Sequence, residues 1–387
     1  MSLSLDPHSA RIYICCNACK RRELDSIRVK NYLLLNGYEI VTDISLANIT
    51  IFFTCSFSEE MSLDSLTKLK FYHSFTERVI LCGCFPVIGM HAYDFENEII
   101  TIGNSNLNKI EYYFPPTVIK FENIPDGNDI YFDPVFGDNV FLIRISKGCL
   151  GNCSYCAIKS AIGKHESKNF EFILREISKA IESNISYIRL VADDGGAYGI
   201  DKGINIISLI KSICENNNIK GVEMEINPRW LLTYGSEFES VIANRDIYFK
   251  ITIPVQSGSE SVLRHMNREI SMASLSDILH KVRSNVGKQL FTITHVIVGY
   301  PTETYTDIDK TIKFLSQSCF DQINIFPFTL HPKSAISKHN YTSDKSEVQN
   351  RANYMIEHLS LLGYDLFEFT KSQSSDWQHI ILRKSYV

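Results

Sequence analysis

A chain of 387 residues is long enough for two domains or a little more. Its composition, 44% hydrophobic and 21% charged, is ordinary for a globular protein, and no apolar run approaches the ~18 residues a membrane span needs. The formal net charge of −5 gives no general attraction to nucleic acid.

The start, MSLSLDPHSARIYICC, lacks a basic stretch followed by an apolar core, so no signal peptide is expected and the predicted setting is cytoplasmic, with no membrane partner. From RIYICC the pattern alternates. RIYICC predicts a strand, ELDSIRVKNYLLLNGY an amphipathic helix ending at Gly37, ANITIFFTC a second strand, SLDSLTKLKFYHSF a helix and RVILCGC a third strand. Such alternation argues for a parallel sheet, here a flavodoxin-like or Rossmann-like domain over residues 1–120. Cys19 follows the first of these strands, Cys55 closes the second and Cys84 closes the third. Loops at the carboxyl ends of strands in an open α/β sheet meet in one crevice, so three cysteines distant in sequence can converge.

IKFENIPDGNDIYFDPVFGDN, punctuated by Pro and Gly, reads as a linker over 121–138. FLIRIS, from Phe141, then starts a series of strands, continued by YIRLVAD, VEMEIN, YFKITIPV, FTITHVIVGY and QINIFPF. Helices such as FILREISKAIES, INIISLIKSIC, SDILHKVRS and DIDKTIKFLSQS lie between them. Six βα steps over 139–335 fit a partial (β/α)6 TIM barrel with its site at the strands' carboxyl face. Beyond Pro332 the chain becomes polar, and 336–387 reads as a helical extension with one helix inside EVQNRANYMIEHLSLLGY. The closing KSQSSDWQHIILRKSYV is too short for a domain of its own.

Eleven cysteines point to metal or redox chemistry rather than disulfides when no secretion signal is present. KGCLGNCSYCAIK, directly after the first barrel strand, holds Cys149, Cys153 and Cys156. A structural zinc site takes four ligands, and a four-iron cluster takes four cysteines. In the nearby loop only His165 offers a further ligand. Three thiolates on a four-iron cluster leave one iron open to a substrate. Cys15, Cys16 and Cys82 lie close enough to the other set to compete as ligands, whereas Cys214 and Cys319 read as packing residues.

A CxxxCxxC loop after the first strand of a partial barrel resembles the radical S-adenosylmethionine (SAM) superfamily. Further stretches resemble its methylthiotransferases: RISKGCLGNCSYCAI with GKHESK, VADDGGAYGID, IPVQSGSESVLRHMNREIS and THVIVGYPTET, with CKRRELDS, FTCS and CGCF before them. The resemblance covers about residues 10–340. It implies two [4Fe–4S] clusters, one on Cys149, Cys153 and Cys156, the other on Cys19, Cys55 and Cys84, each with an open iron. The first would take SAM and yield the 5′-deoxyadenosyl radical. The second would carry the sulfur acceptor, which a first SAM methylates before the methylthio group joins the substrate carbon. There are no catalytic residues to name beyond these ligands. A reductant such as flavodoxin or ferredoxin and a sulfur donor are further implied partners.

For SAM, Asp194 is placed to accept from ribose hydroxyls, and Gly195, Gly196 and Gly199 to let backbone approach a ligand. Gln256 and Ser257 offer polar groups at the end of the fourth strand. Arg268 is suited to a bidentate contact with the SAM carboxylate. Val298 and the break over Gly299–Pro301 would shape the adenine end.

The chain departs from the family at Ala18, Arg22, Ile162, Lys168 and His295, which bears on substrate identity. Family members continue into a TRAM domain that engages tRNA or a protein substrate, and the residues after Tyr364 are too few to form one. The expected activity is therefore methylthiolation of a peptide or protein side chain, such as a ribosomally made precursor peptide. Methylthiolation of tRNA adenosine, or another radical sulfur insertion, is the alternative.

Overall fold

The computed structural model describes residues 9–89, 99–243, 245–339, 341, 344–371 and 377–384. Residues 1–8, 372–376 and 385–387, which fall in the two terminal stretches read above, lie outside the described residues. The chain divides into two compact units. One holds residues 1–129 with 157–164, the other 130–156 with 165–387.

The first unit is a five-stranded sheet of β1 (Arg11–Cys16), β2 (Glu39–Val41), β3 (Ile49–Thr54), β4 (Arg78–Gly83) and β5 (Ile99–Gly103). The order is β2-β1-β3-β4-β5, parallel throughout. That is the flavodoxin-like order, whose switch point lies between β1 and β3. Helices α1 (Lys20–Leu35), α2 (Glu59–His73), α3 (Phe85–Ile88) and α4 (Ile110–Tyr113) connect or follow the strands. The parallel sheet agrees with the sequence reading, which omits β2 and β5. Both are edge strands; β2 has three residues and no buried one, so no periodicity announces it. β3 is buried throughout, as a central parallel strand should be.

Helix α5 (Lys159–Ile162) belongs to this unit, although its position in the chain is inside the expected barrel. Small apolar Ala157 and Ala161 are the reason, since they pack with Ile88 and Cys84.

The second unit is built on a nine-stranded sheet. Its strands are β6 (Ile130–Asp133), β7 (Asp138–Arg144), β10 (Tyr187–Val191), β11 (Gly221–Glu225), β12 (Tyr248–Thr252), β13 (Leu290–Val298), β14 (Gln322–Pro327), β15 (Tyr364–Lys371) and β16 (Trp377–Lys384); β8 (Ser146–Lys147) and β9 (Glu166–Ser167) form a small separate pair. Six strands, β7 and β10 to β14, are parallel and consecutive. Between them run α6 (Phe170–Glu182), α7 (Ile206–Cys214), α8 (Pro228–Ile242), α9 (Glu260–His265), α10 (Met272–Val286) and α11 (Tyr305–Gln317), and α12 (Lys345–Leu361) follows. The six-step partial barrel is present and open, because its edges end on β6 and β15.

Two expectations change here. The linker contains β6, which pairs antiparallel with β7. The region after 336 is not helical alone. α12 is followed by an antiparallel hairpin whose second strand, β16, joins β14. Ile380 and Leu382 of β16 are buried, so the hairpin completes the core.

Candidate functional site

In the first unit, three chain directions bring Cys19, Cys55 and Cys84 together. Cys19 caps the start of α1, just past β1. Thr54 and Gly83 are register partners, so Cys55 and Cys84 leave neighbouring strands at the same level. Gly83 sits at φ +99, and a Cβ there would lie 2.3 Å from the Thr54 carbonyl oxygen. Only glycine lets the chain turn this closely and lets the Cys84 amide donate to that oxygen at 3.0 Å. Burial pushes the Cys55 thiol up to about 12; the backbone of Phe57 opposes this, and the Cys19 and Cys84 sulfurs add to it. That mutual influence is what convergence produces. Asn104 Nδ2 lies 3.4 Å from the Cys84 sulfur.

The neighbouring thiols separate. Cys15 Sγ approaches the Ile51 carbonyl at 3.9 Å and packs with the Phe52 cluster. Cys82 is fully buried in the core. Cys16 alone stands beside Cys19, with its sulfur accepting from the Ala18 amide at 3.5 Å. Arg22, a departure from the family, forms a buried ion pair with Asp25 at 2.8 Å.

In the second unit, Cys149, Cys153 and Cys156 occupy the loop after β8. Gly151 lies between two of the sulfurs, since a Cβ on it would stand 3.2 Å from Cys149 Sγ and 3.9 Å from Cys153 Sγ. The Gly151 amide donates to Cys149 Sγ at 3.1 Å. Burial pushes the Cys149 thiol up to about 12, and Asp194 adds to the shift. Among the described residues, no three of His, Cys, Asp and Glu converge as they would on a single ion.

The segment Met266–Arg268 holds this loop. Ser154 N donates to the Met266 carbonyl at 3.0 Å, and Asn267 Nδ2 donates to the Asn152 carbonyl at 2.7 Å. Arg268 Nη1 lies 3.7 Å from Cys153 Sγ and donates to Tyr155 OH at 3.2 Å, while Nη2 donates to the Pro254 carbonyl at 2.6 Å. Ser154 Oγ and Tyr300 OH each lie 2.9 Å from the His265 carbonyl. Arg268 is thus a brace on the cysteine loop with two of its nitrogens engaged.

Asp194 is engaged by several protein donors. Its Oδ1 accepts from Trp230 Nε1 at 2.8 Å, and its Oδ2 accepts from Arg229 Nη2 and from Leu150 N, the latter at 3.3 Å. These bonds tie α8 to the cysteine loop. Next to it, Gly148 N donates to Asp193 Oδ2 at 2.8 Å. Gly195 and Gly196 each have protein atoms close against them. A Cβ on Gly195 would meet the Glu225 carbonyl at 2.4 Å, and one on Gly196 would meet the Trp230 ring at 2.4 Å. Gly199, at φ +86, has Ile204 against it. The sequence reading passes over Arg229 and Trp230. Their signal is the Asn227 cap followed by Pro228, which opens α8.

Ser257 is fully buried, and its hydroxyl faces Thr311 and accepts from Ser259 N. Gln256 behaves otherwise. It stands at φ +71, its amide donates to the His295 carbonyl at 2.8 Å, and its buried Oε1 has no protein partner. A left-handed non-glycine residue with an orphaned polar atom at a strand end is a mark of a ligand site. Val298 ends β13; its carbonyl accepts from Phe328 N at 2.8 Å, and Gly299 at φ +82 turns the chain against Val348 of α12.

A six-step open barrel with a three-cysteine loop after its first strand defines a radical SAM enzyme, and residues 143–315 match the radical SAM superfamily. Residues 11–96 match the uncharacterized protein family UPF0004. The chain thus carries a UPF0004 domain followed by a radical SAM domain, and its relatives are named as methylthiotransferases. It is 25% identical over 339 residues to a probable threonylcarbamoyladenosine tRNA methylthiotransferase of Pyrococcus horikoshii, covering 85% of this chain and 79% of that one. It is 28% identical over 341 residues to the ribosomal protein uS12 methylthiotransferase RimO of Thermosipho melanesiensis, covering 82% and 75%. The fold resembles that of the radical SAM methyltransferase TsrM from Kitasatospora setae, with a TM-score of 0.60, 9% identity, and coverage of 97% and 88%. Enzymes of this family use [4Fe–4S] clusters and SAM, and the two sets of three cysteines fit such groups. Among the described residues, no helix is long and apolar enough to cross a membrane.

Proposed function

We propose that this enzyme replaces an unactivated C–H bond by C–SCH3 on a peptide or protein side chain. The observation that carries the reaction is the recurrence of a three-cysteine set at strand ends in each unit. Cys149, Cys153 and Cys156 would hold the cluster that supplies the electron for SAM cleavage. Cys19, Cys55 and Cys84 would hold the second. Arg268, Asn267 and Asp194 keep the first loop in place, and the Gln256 carboxamide is the polar group turned to the ligand.

The substrate half rests on charge. The chain carries a net −5, against the cationic surface that a phosphate backbone demands. Three cations on the strands, Arg189, Lys250 and Arg383, are engaged by protein partners. The relatives' names divide between tRNA and a ribosomal protein. A flavodoxin or ferredoxin and a sulfur donor complete the reaction.

The test is to incubate reconstituted enzyme, reductant and SAM with candidate peptides and, separately, with tRNA. A mass gain of one methylthio group in place of hydrogen on a peptide supports the proposal. The same gain on tRNA alone overturns its substrate half.

A further inference from the structure

The strand faces of the second unit are layered. Arg189, Glu223, Lys250 and Phe291 lie side by side in register, the first three at the middle of their strands. Arg189 pairs with Glu223 at 3.3 Å, and Lys250 reaches both Glu223, at 3.6 Å, and Asp133. Arg383 of β16 donates to Gln322 at 2.9 Å and lies over the Phe291 and Phe367 rings. This level is a closed set of ion pairs and stacked cations. It offers no unengaged charge to a ligand.

Further towards the carboxyl ends the same face changes character. His295 is in register with Asn324, and Asn324 with Ile381, so His295, Phe326 and His379 lie on one face of three adjacent strands. The intervening residues Ile323, Ile325, Ile380 and Leu382 are buried in the core on the opposite face. The His295 ring meets Phe326 edge-on, at 5.2 Å and 69°, and Phe326 stacks with His379 at 5.6 Å and 24°. All three are half-buried. Burial lowers His379 below the usual histidine value, with Glu368 opposing the shift. Gln256, with its orphaned Oε1, adjoins this row through its amide on the His295 carbonyl.

We propose that His295, Phe326 and His379 form an aromatic shelf that positions a flat aromatic side chain of the peptide substrate, and that the C-terminal hairpin supplies one third of it. Flat rings select flat partners by offset or edge-on stacking. The site is at the carboxyl face, where a barrel binds its ligands. The hairpin thereby becomes part of substrate recognition. This rests on the peptide reading above, yet it is tested without turnover.

The probe is N-acetyltryptophanamide, titrated calorimetrically into the reconstituted full chain with saturating SAM and no reductant. N-acetylleucinamide and adenosine are the comparison ligands. The wild type should bind the tryptophan amide more tightly than the leucine amide or adenosine. Phe326→Leu and His379→Ala should each weaken it about three- to tenfold, and Phe326→Tyr should restore it. Thermal melts check that each variant is folded, and the two sites give independent readings. No binding by the wild type, equal binding of the tryptophan and leucine amides, or unchanged affinity in both variants overturns the shelf. Tighter binding of adenosine overturns the peptide assignment. Absence of methylthio transfer in the turnover assay, by contrast, contradicts the reaction and leaves this binding result standing.

Discussion

Asn267 reaches across 115 positions of sequence to donate to the Asn152 carbonyl at 2.7 Å, and it does so from a left-handed backbone at φ 56. The MNR stretch of the sequence is therefore a clamp on the cysteine loop. Asn267→Ala removes the bond and keeps the unfavourable φ. The expected loss is about 0.5–1.5 kcal/mol of loop stability. Iron and sulfide retained per chain after anaerobic gel filtration should fall, while Asn267→Gly, which relieves φ, should fall less.

Arg268 tests the same clamp by charge. It is 8% exposed and lies 3.7 Å from Cys153 Sγ. Reduction of a cluster adds negative charge, which a nearby cation favours. Arg268→Met should move the midpoint potential of the SAM-binding cluster to more negative values in a potentiometric titration. An unchanged potential would separate Arg268 from the cluster.

Asp194 discriminates between two roles. It is 5% exposed, with both oxygens engaged by Arg229, Trp230 and Leu150. Asp194→Asn keeps one acceptor and turns a donor towards these groups, at a cost of about 1–3 kcal/mol. Cluster loading should drop, and the fraction that loads should keep near-normal SAM affinity. A ribose ligand would give the reverse pattern.

Gly196 gives an optical test of the same contact. A Cβ there would stand 2.4 Å from the Trp230 ring. Gly196→Ala should cost about 1–3 kcal/mol through overpacking and shift the emission of Trp230, one of two tryptophans. The shift should vanish in a Trp230→Phe background.

These residues mark what is legible in the sequence. The six cysteines and the strand alternation are visible because spacing and periodicity are local. Asp194 is legible as a position at the end of a strand, and its protein partners are not. Its partners come from α8, whose only local marks are Asn227 and Pro228. Gly195 and Gly196 look like ligand-facing glycines, and what they accommodate, the Glu225 carbonyl and Trp230, is set by tertiary packing. The hairpin is missed because β16 gains its meaning from pairing with β14, a non-local contact, and β15 from pairing with β16.

Glu303 carries a pH dependence. It is 3% exposed, and burial raises its carboxyl to about 7 from 4.5, while the Gly299 amide and Arg351 oppose the shift. The folded state therefore holds a proton that the unfolded chain releases near 4.5. Between these values the folded state binds more protons, so stability falls as pH rises through the window and levels off above about 7. The full span is at most ~3 kcal/mol. Glu303→Gln keeps an acceptor for the Gly299 amide and removes the titration. Urea midpoints should show the variant gaining on the wild type between about pH 5 and about pH 8. An equal difference at both values would contradict the assignment.

The central claim, two three-cysteine sets with divided labour, is tested by one paired assay on the full reconstituted chain. Iron content, 5′-deoxyadenosine and methylthio product are measured together in two triple variants. Cys19→Ala/Cys55→Ala/Cys84→Ala should keep half the iron and still form 5′-deoxyadenosine, with no methylthio product. Cys149→Ala/Cys153→Ala/Cys156→Ala should keep the other half and form no 5′-deoxyadenosine. Undiminished 5′-deoxyadenosine in the second variant, or undiminished methylthio product in the first, would contradict the account.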